Sequence, residues 1–183
     1  MIREESATYM NNDMPEVINN PVTGQTVTFS EQGPELLVTD WTVLPGLPPD
    51  PEHLHPLQEE HLHLLEGRIR RDLGDGRSDH LEAGSDWVIP PGTPHTWENA
   101  TDAPIRLRIE FRPALRTRAL MTRLYGLAAA GKTNRKGVPN PLQVSVTATE
   151  YAPEIAITNP PPAIQRVVFR ILAPIARRFG YTP

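Results

Sequence analysis

Across residues 21–112 turn-forming residues recur at such short intervals that no apolar helical period survives, and this punctuation confines the region to short strands. The breaks are Gln32-Gly33-Pro34, the proline-rich stretch 46–51, Gly74-Asp75-Gly76, Pro90-Pro91-Gly92 and the stretch 99–104. Between them, alternating or β-rich runs predict strands at residues 23–30, 36–44, 61–65, 68–72, 80–81, 87–89, 95–98 and 105–111. Strands this short and this closely spaced build a sandwich or a barrel, so the expected class is all-β. Proline occupies 21 of 183 positions, about twice its ordinary share, yet proline and glycine together stay below the ~25–30% of disordered chains.

The character changes after Pro113. Leu120, Leu124 and Leu127, with Met121 and Ala128 beside them, mark one stripe at helical spacing, while Arg116, Arg118 and Arg123 lie elsewhere and Gly131 suits the helix end. Residues 132–141 read as a loop. Residues 142–150 are ambiguous, because Val144, Val146 and Ala148 alternate as in a strand while the run also continues toward a helical pattern; the type of 142–157 stays open. The last segment, 163–179, follows a triple proline and sets Val167, Val168, Ile171, Leu172 and Ile175 against Arg166, Arg170, Arg177 and Arg178. It predicts an amphipathic helix packing its apolar side on the barrel or on a neighbouring subunit, kinked or split by Pro174. A kinked helix of four turns makes a poor lipid anchor, so no membrane partner is expected. The organisation is an N-terminal arm at 1–20, a barrel at 21–113 and a helical extension at 114–183.

Composition narrows the function classes. Without cysteine, disulfides, thiolate catalysis and thiolate zinc sites are excluded, and any metal must rest on nitrogen and oxygen ligands. No window approaches eighteen uninterrupted apolar residues, and the first residues lack the pattern of a secretory or transit signal, so a cytoplasmic location is expected. No phosphate-loop, dinucleotide or nucleophile-elbow motif occurs. The net charge of −4 conceals an asymmetry: residues 1–66 carry twelve acids and one base, Arg3, whereas residues 112–183 carry eleven bases and only Glu150 and Glu154 as acids. The basic half lacks interleaved aromatics, which argues against nucleic acid. Complementary ends suit an isologous homodimer.

All six histidines fall between positions 53 and 95. His53 and His55 stand two apart, a spacing that projects both imidazoles from one face of a strand. Glu59 and Glu60 follow a short Pro56-Leu57-Gln58 turn, and a carboxylate there can close on the same point. Further on, a strand, the tight Pro90-Pro91-Gly92 turn and a returning strand aim His95 back at its predecessors. His95, Trp97 and Asn99 then share a face, opposite Thr96 and Glu98. His61 and His63 have the opposite parity to Glu60 and should point away, while His80 is expected in solvent.

These residues resemble the cupin superfamily. Its first motif, G-x5-H-x-H-x3,4-E-x6-G, is similar to the run of His53, His55, Glu60 and Gly67, a spacing that selects Glu60 over Glu59; the opening glycine, Gly46, lies one residue too early. Its second motif, G-x5-P-x-G-x2-H-x3-N, is matched at Gly84, Pro90, Gly92, His95 and Asn99. The pattern also looks like bacterial single-domain cupins with helical C-terminal extensions.

The resemblance implies a double-stranded β-helix, a jelly-roll barrel of two facing antiparallel sheets, followed here by C-terminal α-helices. It also implies one divalent transition metal held by His53, His55, Glu60 and His95. Fe, Mn, Zn, Ni and Cu all suit three imidazoles and a carboxylate. Two residues past His95 on the same face, Trp97 should either form a stacking wall against a small-molecule substrate or fill the core. The implied function is a metal-dependent enzyme acting on a small organic molecule, a dioxygenase on an enol, phenol or keto acid ahead of a non-redox isomerase, cyclase or lyase. A binding module without turnover is the contrasting class, and no catalytic residue is assigned beyond the metal ligands.

Overall fold

The computed structural model describes residues 16–72 and 77–183, so the turn expected at Gly74-Asp75-Gly76 lies outside the described residues. The strands are β1 (Val17–Asn20), β2 (Gln25–Gln32), β3 (Leu37–Val43), β4 (His53–Leu54), β5 (Glu59–Glu66), β6 (Arg68–Asp72), β7 (Ser78–Glu82), β8 (Asp86–Ile89), β9 (Thr96–Asn99), β10 (Ile105–Arg112) and β11 (Ala156–Ile157). The helices are α1 (Thr117–Ala129), α2 (Pro141–Glu150) and α3 (Pro162–Arg178). A six-stranded sheet runs β1-β2-β3-β10-β5-β8, and a three-stranded sheet runs β7-β6-β9. Among the described residues every strand pairing is antiparallel. The expected all-β barrel of the double-stranded β-helix type, with helices following it, is the observed architecture.

The strand period decides which residues enter the barrel. On β10, Ile105, Leu107, Ile109 and Phe111 are buried while Arg106, Arg108 and Arg112 stand outside. On β5, Glu60, Leu62 and Leu64 face inward and alternate with Glu59, His61 and His63. These rows meet Val27, Phe29 and Trp41 from one sheet and Ile69 with Leu81 and Trp97 from the other. Each fully buried Leu or Ile contributes roughly 1.5–3 kcal/mol by leaving water. Glu60 is therefore a carboxylate placed by register in an otherwise apolar row. Gly67, the last glycine of the first motif, has φ +90°, and a Cβ there would come 2.4 Å from Ile105 Cγ2, so both backbone and packing require glycine.

The helical extension is built onto the mouth of the barrel. Gln58, fully buried, donates to Pro113 O at 2.7 Å and to Thr117 Oγ1 at 2.8 Å, locking the start of α1 to the strand turn before β5. Helix α1 buries Leu120, Met121, Tyr125, Leu127 and Ala128, with Leu124 half-buried, and ends where Gly131 takes a positive φ. Residues 142–150 are helical, and the deciding signal lies just before them. The Asn140 side chain accepts from the amides of Leu142 and Gln143, both at 3.1 Å, and Pro141 opens the first turn. Beyond α2 the chain extends again, and β11 pairs with β4, with Ala156 opposite Leu54 and Ile157 opposite His53.

Helix α3 departs from two of the outcomes expected for it, a split at Pro174 and packing on the barrel. It runs through Pro174 as one helix and buries Gln165, Ala173 and Ala176, whereas Val167, Val168, Ile171 and Ile175 face outward. Val167 is 62% and Ile171 61% exposed. The reason is steric: Ala173 and Ala176 close against Val146 of α2 in a contact of small residues. The aliphatic stripe is thus not packed on this chain's barrel. Among the described residues, no helix is long and apolar enough to cross a membrane.

Candidate metal centre

His53 and His95 form an antiparallel bridge, the His53 amide donating to His95 O at 3.1 Å and the His95 amide to His53 O at 2.8 Å. Their rings stand 4.5 Å apart between centroids. His55 follows two residues on, and the Gly92 amide donates to its carbonyl at 2.8 Å, so the Pro-Pro-Gly turn is tied to the His-x-His run. Glu60 enters from β5. His53, His55, Glu60 and His95 each offer one ligand atom, and these atoms lie within 4.8 Å of one another. His55, Glu60 and His95 are buried and His53 half-buried.

The hydrogen bonds behind the rings fix their chemistry. His53 Nδ1 lies 2.9 Å from Pro51 O, His55 Nδ1 2.6 Å from Glu154 O, and His95 Nδ1 2.9 Å from Thr93 O. A carbonyl only accepts, so each Nδ1 carries a proton and each Nε2 is the nitrogen turned to the cluster, that of His95 hydrogen-bonded to Glu60 Oε2 at 3.0 Å. His55 Nε2 and His95 Nε2 both lie 3.0 Å from Glu60 Oε2. His55 Nε2 is nevertheless buried without a hydrogen bond of acceptable geometry. Three oriented Nε2 atoms, that of His55 orphaned and that of His95 free to ligate once its proton is displaced, are with a carboxylate the donor set a divalent transition ion takes.

Electrostatics favour ligation at His53 and Glu60 and set a proton against it at His95. Burial, reinforced by the neighbouring His95 and His55, pushes the pKa of His53 down to about 3, which keeps it neutral and able to ligate at neutral pH. For Glu60, burial opposes ionisation, but the His55 and His95 imidazoles outweigh it and hold the carboxyl well below its usual range. For His95, burial disfavours the proton, yet Glu60 prevails and raises the pKa above its ordinary value.

A cavity of about 210 Å³ adjoins the cluster. Trp97 lines it, with Trp41 edge-on at 6.3 Å between centroids. Much of the remaining wall comes from the extension: Met121, Leu124, Val144, Ile155 and Ile157. Nothing in their own stretches of sequence signals this, since their pairing with the barrel is tertiary. Asp50 also lines the cavity, held by Gln25 Nε2 at 2.9 Å, while Tyr125 Oη donates to Gln25 Oε1 at 2.6 Å. Burial, with the charge of Glu60 adding and the Gln25 hydrogen bond opposing, raises the Asp50 pKa. Glu59 lies on the outer row opposite Arg112, away from the cluster. Asn99 closes the turn after β9, donating to Ala103 O at 2.8 Å and Val43 O at 3.0 Å. His80 is exposed on β7.

The sequence model of the family described as "Cupin domain" matches residues 39–110, a span that contains all four clustered residues. Residues 39–110 form a cupin domain. A curated relative, "Polyketide synthase CurC" of Streptomyces cyaneus, is 36% identical to this cupin over 62 residues, 34% of the chain. The chain spans only 40% of that relative's length. Among solved structures, KdgF from Halomonas sp. superposes with a TM-score of 0.50 at 19% identity, over 58% of this chain and 95% of that one. An RmlC-like cupin from Shewanella frigidimarina NCIMB 400 gives 0.49 at 20% identity, over 61% and 96%. At such identities the likeness concerns the fold.

Proposed function

We propose that this cupin is a metal-dependent enzyme acting on a small organic molecule, with His53, His55, Glu60 and His95 as the ligands of one divalent transition ion. The observation that carries this reading is the set of three imidazoles pinned at Nδ1 by backbone carbonyls with Nε2 turned toward one carboxylate. Such an ion supplies Lewis acidity and, when redox-active, one-electron chemistry. Four protein ligands on an ion that accepts six leave room for a chelating substrate oxygen.

The chain's own residues then set the substrate class. The cavity is smaller than the ~300–1,000 Å³ of drug-sized pockets, and its walls are mainly apolar and aromatic. A compact enol, phenol or keto acid fits, with its oxygens toward the ligand set and its carbon skeleton against Trp97 and Trp41. Asp50 is the group beside the cavity able to give or take a proton, positioned through Gln25 by Tyr125. The preferred reaction is oxygenation. A non-redox cyclisation is the second reading, favoured by the similarity to a polyketide synthase component, since polyketides carry keto and enol groups.

Oxygen uptake and product analysis on a panel of small phenols, enols and keto acids test the proposal, using protein whose metal has been assayed. Turnover is expected to vanish in Asp50→Asn while metal content holds. Trp97→Ala should weaken substrate binding up to about tenfold, the worth of one aromatic contact, again with metal retained. Ligand-induced stabilisation without conversion of any panel member would reassign the chain to a binding module. We also assign the exposed α3 stripe to a homodimer contact. Light scattering is expected to give twice the chain mass, falling to one in Ile171→Lys.

A further inference from the structure

We propose that the outer face of the six-stranded sheet carries a second divalent-metal site, made by His61, His63 and Glu110 and oriented by Asp86. The strand register assembles it. His61 lies opposite Glu110 of β10, and His63 lies opposite Asp86 of β8, so three neighbouring strands bring four side chains to one spot. His61, His63 and Glu110 each offer a ligand atom, and these atoms lie within 4.8 Å of one another.

The contacts divide the four residues into three ligands and a support. Asp86 Oδ1 lies 2.5 Å from His63 Nδ1. That hydrogen bond places the proton on Nδ1 and leaves the Nε2 lone pair toward Glu110 Oε1, 3.8 Å away. A carboxylate behind a histidine is the arrangement that orients metal-binding imidazoles and raises their basicity. His61 Nε2 is buried without a hydrogen-bond partner, and its nearest carboxylate oxygen, Asp86 Oδ1, stands at 3.9 Å, too far to satisfy it. Arg112 holds the other oxygen of Glu110 at 2.6 Å, which leaves Oε1 for an ion. The His61 and His63 rings lie 3.9 Å apart between centroids, close enough to share one cation. Metal–nitrogen bonds of about 2.0–2.1 Å require the three ligands to close inward by roughly an ångström, which side chains on a half-exposed surface can do. Two imidazoles and one carboxylate with outward-facing open positions suit Zn(II).

This site is independent of the barrel centre. Glu60 and His61 are adjacent on β5 but project to opposite faces of the sheet, so either set can be altered alone.

The test is a Zn(II) titration of chelator-stripped protein against a chromophoric competitor, with bound metal confirmed by elemental analysis. His63→Ala and His61→Ala should each lose one equivalent of zinc relative to the unsubstituted chain, and Asp86→Ala should weaken that equivalent by about 10–100-fold. All three side chains lie on the outer face of the sheet, His61 and His63 half-exposed and Asp86 exposed, so far-ultraviolet circular dichroism should not change. Glu60→Gln should keep the outer equivalent while losing the inner one, which separates the two sites. Unaltered zinc stoichiometry in both His61→Ala and His63→Ala would overturn the assignment. So would a Glu60→Gln protein that binds no zinc.

Discussion

Replacing Glu60 with Gln, or His95 with Ala, should reduce the metal held in the barrel from about one equivalent to a trace after dialysis, while the fold persists. Removing a partner that merely supports a ligand already costs ~10–100-fold in metal affinity, so removing a ligand costs at least the upper end of that range. Glu60→Gln keeps the volume and one acceptor oxygen between His55 and His95, and His95→Ala retains the His53 bridge, which is made by backbone atoms. Elemental analysis beside a thermal melt checks this, and both variants retaining full metal at the barrel centre would refute the ligand set. Acid should do the same reversibly, because protons compete for the Nε2 lone pairs. The sign in the metal-free protein differs by group. Raised His95 stabilises below its unfolded pKa of about 6.5, and that contribution is lost as pH rises through the folded value. Depressed Glu60 stabilises above its unfolded value and loses this as pH falls. His53, lowered to about 3, costs stability as pH falls from about 6.5 toward 3. Metal-bound protein should therefore lose both its ion and part of its stability below about pH 6.

The barrel was legible because strand alternation is local. The inward row Glu60, Leu62 and Leu64, and the outward row His61 and His63, follow from parity alone. The clustering of His53, His55, Glu60 and His95 was legible because the two motifs fix their spacing in sequence and the Pro90-Pro91-Gly92 turn fixes their approach. Residues 142–150 were harder, since Val144, Val146 and Ala148 satisfy either period; the Asn140 cap and Pro141 decide for helix. The aliphatic stripe of α3 left barrel and neighbouring subunit both open, because amphipathicity identifies an apolar face without saying what covers it. Here the neighbour within the chain is met by alanines instead. Least legible was the joining of barrel and extension. No pattern around Glu154 announces that its carbonyl would orient His55, 99 positions away.

That joint supports the second large effect. Glu154 is 2% exposed, and its carboxylate meets Arg116, with the Arg116 amide at 3.2 Å and Nε at 3.0 Å. Arg116 also reaches Glu150, the last residue of α2, at 2.9 Å. One guanidinium thus ties the start of α1 to the segment that carries β11 and the carbonyl behind His55. Arg116→Ala would leave a buried carboxylate with its main donor gone, at a cost of about 1–3 kcal/mol. Because Glu154 O is the acceptor for His55 Nδ1, loosening this segment should also weaken metal binding by about 10–100-fold, as loss of a supporting partner does. Arg118→Ala provides the comparison: Arg118 pairs with Glu16 at the surface, and its loss should change stability by no more than ~0.5 kcal/mol and leave metal affinity intact. Denaturant melts and metal titrations of the two variants decide the matter. If Arg116→Ala destabilises the fold but binds metal as tightly as the unsubstituted chain, the extension covers the cavity without orienting His55. If both quantities fall together, the extension is part of the metal centre.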